Sequence, residues 1–208
     1  ALTLSGLTRT SGTVDFTGAG LGESDRNRIF INGQSDGPIG AWATVNGSAL
    51  AAYSSTRGVY AADSASYADI AARGDTIVSN PSSNVRIMTQ GTTGNNELSD
   101  ATTVINSLAQ NSVFDSTVNT AGKTLRTSAA AVPAGKAALT LGAAAGDGTL
   151  TAAAESGSLT LANDGASSLT VNAVIADNDG ASSLAKAGTG TVTLAAENTF
   201  SGTTAISA

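Results

Sequence analysis

Seven carboxylates crowd the first 75 residues: Asp15, Glu23, Asp25, Asp36, Asp63, Asp69 and Asp75. Two of them flanking a sugar could cleave a glycosidic bond as acid and as nucleophile or base. Their spacing selects no pair, and most stand beside Gly, Ser or Asn, as acids in surface turns do. A second acidic set lies further on. In ADNDGAS, residues 176–182, Asp177, Asn178 and Asp179 precede Gly180 and resemble half of an oxygen-ligand loop for calcium. A full loop needs alternating ligands and a later Glu, and Ser182 and Ser183 stand there instead. The related ANDGAS, residues 162–167, offers Asp164. Stacked corners would bring Asp164 near Asp179, where a cation would relieve their repulsion. Calcium is therefore the one cofactor the pattern admits, at Asp164, Asp177 and Asp179. Plain turns closed by Asp and Asn side chains explain the same residues without it.

Other chemistry is thinner. Arg26 and Arg28, in SDRNRIF, share one face of an expected strand; they suit an anion, or pairing with Asp25. Trp42, Tyr53 and Tyr60 could form a platform for stacking sugars or an apolar contact with a neighbouring subunit. Gly188-Thr189-Gly190-Thr191 is no phosphate loop, since no helix follows and Lys186 precedes the glycines. The chain has no Cys and no His. That excludes thiolate chemistry, imidazole metal sites and Ser-His-Asp catalysis. No catalytic residue emerges.

The elements that must carry these residues are strands. Only 12% of the 208 residues are charged and the net charge is −6, which suits neither a disordered tail nor a nucleic-acid partner. No apolar run is long enough for a transmembrane helix. Aromatics make up 4%, so the core is expected to be thin and built from Ala, Val, Leu and Ile. Residues 1–126 hold every Arg and every aromatic except Phe200, while residues 127–208 form a low-complexity continuation of the same body. Alternation with a period of two pairs Leu139 with Leu141, Leu150 with Ala152 and Ala154, and Leu159 with Leu161. It also aligns Leu169, Val171, Ala173 and Ile175 on one face, and Val192 with Leu194. Upstream it pairs Val14 with Phe16, Ile29 with Ile31 and Val85 with Ile87. Residues 41–45 and 49–54 read as a hairpin turning at Asn46-Gly47, anchored by Trp42 and Tyr53. SASYADIAARGD, residues 64–75, offers the one short helix, capped at Ser64 or Ser66 and ending at Gly74.

The heptapeptide NDGASSL occurs at residues 163–169 and again at 178–184. Recurrent turns, small residues at positions read as inward, and few aromatics favour a solenoid of strands over a sandwich. The repeated heptapeptide then marks one corner turned on two laps. Laps of about 20 to 28 residues give about seven to ten of them, a rod on the order of 35 to 50 Å.

Residues 182–208, SSLAKAGTGTVTLAAENTFSGTTAISA, resemble the autotransporter-associated β-strand repeat. Its pattern runs Leu-x-Lys-x-Gly-x-Gly-Thr-Leu-x-Leu, then Asn-Thr-Tyr-x-Gly-x-Thr. Leu184, Lys186, Gly188, Gly190, Thr191, Leu194, Asn198, Thr199, Gly202 and Thr204 fit it, with Val192 for Leu and Phe200 for Tyr. GAWATVNG, the following Ala-Ala-Tyr and TTVINSL (102–108) look like modules that accompany such repeats in large bacterial surface proteins. The resemblance implies a right-handed parallel β-helix at the cell surface, with a hairpin excursion near residues 37–75. It implies no enzyme activity and transfers no catalytic residue.

A start at ALTLSGLT, without Met or a signal-peptide pattern, reads as a processed or excised piece. TTAISA carries no cap of Pro, charge or amphipathic helix. Uncapped coils stack on further repeats or head to tail on copies of themselves, with Leu2, Leu4, Phe200 and Ile206 at the contacts. The expected role is a non-enzymatic, extracellular structural solenoid in a fibre or surface layer. An adhesin segment presenting its hairpin to a surface glycan is the alternative, and a polysaccharide-active enzyme stands behind both.

Overall fold

The computed structural model describes residues 1–8, 14–40, 42–47, 49–62, 67–70, 74–88 and 96–207. Every regular element among them is a strand, and parallel coils stack into a β-solenoid of about 8 turns. The expected fold class is what forms.

The N-terminal block comes first. β1 (Leu2–Leu4) pairs parallel with β3 (Ile29–Ile31), and β2 (Val14–Phe16) with β5 (Ala43–Val45). β4 (Gly37–Pro38), β6 (Ala49–Ser54) and β7 (Gly58–Ala61) add antiparallel pairs around β6. β5 and β6 form the expected hairpin, with Thr44 opposite Leu50 and Val45 opposite Ala49. Its turn uses Asn46 and Gly47, both at positive φ as a tight hairpin turn requires. Phe16, Leu21, Ile31, Val45, Tyr53 and Val59 make a core of the block's own.

From β8 (Tyr67–Ile70) onward the chain winds around a second core. β8 lies where the short helix was expected, so that expectation is corrected for residues 67–70. The physical reason is pairing: β8 runs in register against β10, aligning Ile70 with Ile87 and Asp69 with Arg86. Ser64, Ser66 and residues 71–73 lie outside the described residues.

The coil then repeats a three-faced lap. β9 (Thr76–Ile77) leads to β10 (Asn80–Ile87), and β11 (Asn96–Leu98) to the long β12 (Thr102–Gln110). The next laps are β13 (Ser116–Asn119), β14 (Thr124–Arg126), β15 (Ala129–Val132), then β16 (Leu139–Leu141), β17 (Thr149–Thr151), β18 (Ser158–Asn163). β19 (Leu169–Val171), β20 (Val174–Ile175) and β21 (Ser183–Ala187) follow, and β22 (Val192–Leu194) with β23 (Thr204–Ile206) close the series. The first face stacks β9, β11, β13, β16, β19 and β22. The second stacks β14, β17 and β20 on the first half of β12. The third stacks β8, β10, the second half of β12, β15, β18, β21 and β23. Position 126 falls inside this continuous pairing, since β12 pairs with both β14 and β15.

Register explains the stability. Leu125, Leu150 and Ile175 align down the second face, and Leu139 with Leu169 on the first. All are buried. Each lap thus covers the apolar row of the one before, at about 1.5–3 kcal/mol for each fully buried large side chain. The expectation of alanine at inward positions needs correction: Leu, Ile and Val fill most of the interior. On the third face, Leu108 and Leu161 point inward, so Ala109 and Ala162 beside them point out, with Ala131 on the same outer row.

NDGASSL also needs correction. The first copy links β18 on the third face to β19 on the first, whereas the second links β20 on the second face to β21 on the third. Leu169 pairs with Val192 and Leu184 with Leu159, so the copies turn different corners. Their shared chemistry is a buried Asn. Asn163 Nδ2 donates to Ser167 O (2.8 Å) and Thr191 O (2.6 Å), and Asn178 Nδ2 donates to Ala152 O (2.9 Å). Each amide binds main-chain carbonyls at its corner and so fixes the turn.

Candidate functional site

The block folds beside the third face, and a cleft of about 500 Å³ lies between them. One wall comes from β2, β5 and β6, through Asp15, Thr44, Gly47 and Leu50. The floor is a row of outward side chains in register on four successive laps: Arg86, Ala109, Ala131 and Ala162. Pro133, Ala134, Lys136 and Asp164 close one end. At the other, Tyr67 Oη accepts the Leu50 N–H (2.9 Å) and its ring lies under Arg86, 4.1 Å from the guanidinium carbon. Arg86 also forms a bidentate pair with Asp69 (2.9 and 2.8 Å), which holds its charge in place and raises its pKa.

The two carboxylates of the cleft differ. Burial pushes Asp15 upward, but hydrogen bonds from Gly47 N–H, Thr44 Oγ1 and Thr17 Oγ1 outweigh it, and the pKa falls below the usual value. Asp164 is raised, first by burial and then by the negative charge of Asp15, with Lys186 opposing. The fold therefore brings together two acids that are far apart in the sequence. Of the seven early acids, Asp15 lines the cleft. Asp25 pairs with Arg28, Asp36 accepts the Ser55 N–H (2.7 Å), and Asp63 lies outside the described residues.

The calcium candidates are held apart. Asp177 accepts from Ser182 N–H (2.8 Å), Ser201 N–H (2.9 Å) and Ser201 Oγ (2.7 Å), fastening one corner to the next lap. Asp179 faces Arg126 at 3.8 Å, and Asp164 lies with Asp15 and Lys186. Among the described residues, no three acidic side chains gather in a group able to hold a metal ion. Arg26 and Arg28 precede β3 in a bend, not on a strand face. Tyr53 is buried and its Oη accepts the Ile31 N–H, Trp42 packs half-buried on the same core, and Arg57 covers Tyr60 at 4.0 Å. With Tyr53 inside, the three rings form no sugar-stacking platform. Leu4 packs on the block's core and Phe200 on the coil's, while Leu2 and Ile206 are exposed.

The last lap explains its own sequence. Gly188 is at φ +78°, and a side chain there would meet Asn163 O. Gly190 N–H donates to Asn163 O (2.7 Å), and Thr191 O accepts from Asn163 Nδ2. Asn198 Oδ1 accepts the Ile175 N–H (2.8 Å), and Gly202 N–H donates to Ser182 O (3.0 Å) where a Cβ would clash. Every one of these residues turns a corner or ties a corner to its neighbour.

Residues 184–208 match the family model described as Passenger-associated-transport-repeat. The match begins at Leu184 in β21 and runs through β22 and β23. No curated protein and no solved structure gives a significant match to the chain. The passenger-associated-transport-repeat thus coincides with one lap of the coil. Among the described residues, no helix is long and apolar enough to cross a membrane.

The cleft had one legible trace in the sequence. Ala109, Ala131 and Ala162 each follow a buried apolar residue near the end of a third-face strand. What hid it was the partner wall, which comes from residues more than thirty positions upstream and shares no pattern with the coil.

Proposed function

We propose that this chain is a non-enzymatic structural solenoid at a bacterial surface, a length of fibre or layer extended coil on coil. The observation that carries this reading is the exposed strand pair of the last lap. β22 and β23 end their strand orders, each paired on one side. Leu194 is 39% exposed although it continues the apolar row of Leu141 and Val171, and Ile206 is 78% exposed in register with Lys186. An unpaired parallel edge with apolar side chains above it is a template for another lap. That lap belongs either to further repeats or to the leading face of a second copy. Contact between unlike ends does not close on itself and builds a filament. The passenger-associated-transport-repeat supports a surface location, because its description links it to passenger transport. Its motif residues are occupied with corner geometry, which favours a structural over a catalytic role.

Electron microscopy of the purified chain, with mass measured in solution, tests the reading. Filaments with a regular axial repeat are expected, and Leu194→Lys with Ile206→Lys should leave monodisperse particles. A stable monomer at high concentration for the unmodified chain sinks self-assembly and leaves a segment of a longer solenoid.

A further inference from the structure

The cleft between block and coil has no part in end-to-end stacking, and none of its lining belongs to the matched repeat. Its volume of about 500 Å³ lies within the range of ligand sites. The floor is flat and made of methyl groups on adjacent laps, Ala109, Ala131 and Ala162. From Arg86 to Ala162 it spans three strand spacings, about 14 Å.

The charges around it are already balanced. Arg86 is held by Asp69 and Asp164 is attended by Lys186, which leaves Asp15 against Lys136. A phosphate or a polyamine entering here meets like charge as well as unlike. A hydrocarbon would strip water from these groups and return no hydrogen bonds. A neutral, hydroxyl-rich ring satisfies both parts of the surface. Its C–H face covers the methyl floor, and its hydroxyls donate to Asp15 or Asp164 and accept from Lys136 or Asn111.

We infer that this cleft binds a neutral oligosaccharide lying along the third face, across the laps from Arg86 to Asp164. The coil supplies the floor, the hairpin supplies one wall, and neither suffices alone. This function is additional to the structural one and does not require polymerisation.

Saturation-transfer NMR on the full chain tests it, since the readout is on the sugar and tolerates assembled particles. The probes are maltotriose, cellotriose and triacetylchitotriose, with trigalacturonate and spermine as charged controls. At least one neutral trisaccharide should receive saturation on its ring C–H protons, and the charged probes should not. Ala131→Leu, which fills the floor, should weaken binding about tenfold with the melting temperature unchanged. Thr44→Val provides a second probe of the wall should Ala131→Leu disturb the strand. No transfer to any neutral probe, equal transfer to a charged one, or binding indifferent to both substitutions overturns the proposal.

Discussion

The block of residues 1–62 and the coil that follows are built from the same strands but held by different means. In the coil, one lap is the template for the next: Leu125, Leu150 and Ile175 repeat a single contact, and a buried Asn closes each of two corners. In the block almost nothing repeats. Its core uses Phe16, Tyr53 and half-buried Trp42, its hairpin is antiparallel, and its Arg57 and Tyr60 form a single local stack. Coil stability is a sum over neighbours, whereas block stability depends on one small cluster. A defect in the coil therefore propagates along the stack, and a defect in the block remains local.

The largest expected effect tests that contrast directly. Leu150 is fully buried with a partner row above and below, so Leu150→Ala should cost about 2–5 kcal/mol. Pulse proteolysis in urea should show the flanking laps opening with it. Leu50, at 8% exposure in a three-residue cluster, should cost less and leave the coil protected when changed to Ala. Equal and equally widespread losses would break the comparison. Glycines sharpen it. Gly148 is at φ +75° with a Cβ position that would clash with Thr120 O, while Gly47 is at φ +67° with nothing within 4 Å. Gly47→Ala should lose about 1–2 kcal/mol from strain alone. Gly148→Ala adds a backbone clash and should lose about 3 kcal/mol or more. Chemical denaturation of the two variants separates the cases.

The same contrast explains what could be read in advance. The period of two at Leu139-Leu141 and Leu159-Leu161 reports a buried face directly, because one pleat decides it. Stacking itself was visible in recurring turns. Four things were not. One expected strand over residues 169–175 breaks into β19 and β20, because Asn172 and Ala173 N–H both donate to Leu141 O and turn the chain there. Identical heptapeptides serve different corners, since a short Asn-closed turn fits any vertex with main-chain carbonyls in reach. Tyr67–Ile70 had the composition of a helix but the open edge of β10 beside it, and tertiary pairing overrode propensity. The cleft depends on contacts between the non-repeating block and the repeating coil, so neither pattern contains it.

The corner asparagines should give the next effect in size. Asn163 holds three main-chain groups, including Gly165 N–H at 3.0 Å, whereas the buried Oδ1 of Asn178 has no partner. Each Asn→Ala change should cost about 1–3 kcal/mol, with Asn163 at the upper end. Thermal melts that place Asn178 above Asn163 would mean the corners are held by something other than these amides. Smaller again is Tyr67→Phe, which leaves the Leu50 N–H without its 2.9 Å acceptor and should cost about 1 kcal/mol. The specific readout is the hairpin: protease cutting within residues 49–62 should rise while the coil stays intact.

The smallest effect sets one acid of the coil against one acid of the cleft. Asp177 is held below its ordinary value of 3.8 by Ser201 Oγ and by the Ser182 and Ser201 N–H groups. Its stabilisation is therefore present above that value and is lost as pH falls through the lower, folded one. Asp164 has the opposite sign. Its raised pKa means that the folded chain takes up the proton first, so stability rises as pH falls through the raised value toward 3.8. Melting curves from pH 7 to pH 2 should reflect both. Asp177→Asn should lower the melting temperature at pH 7 and flatten the acid limb below 3.8. Asp164→Asn should raise it slightly at pH 7, because the cost of burying the charge and the repulsion from Asp15 are gone, and remove the gain above 3.8. A lower melting temperature for Asp164→Asn at pH 7 would mean that Lys186 outweighs both burial and Asp15 at that carboxylate. Attraction within the coil, from β21 to the corner after β18, would then govern that carboxylate, and the block's charge would matter less to it than the coil's own next lap.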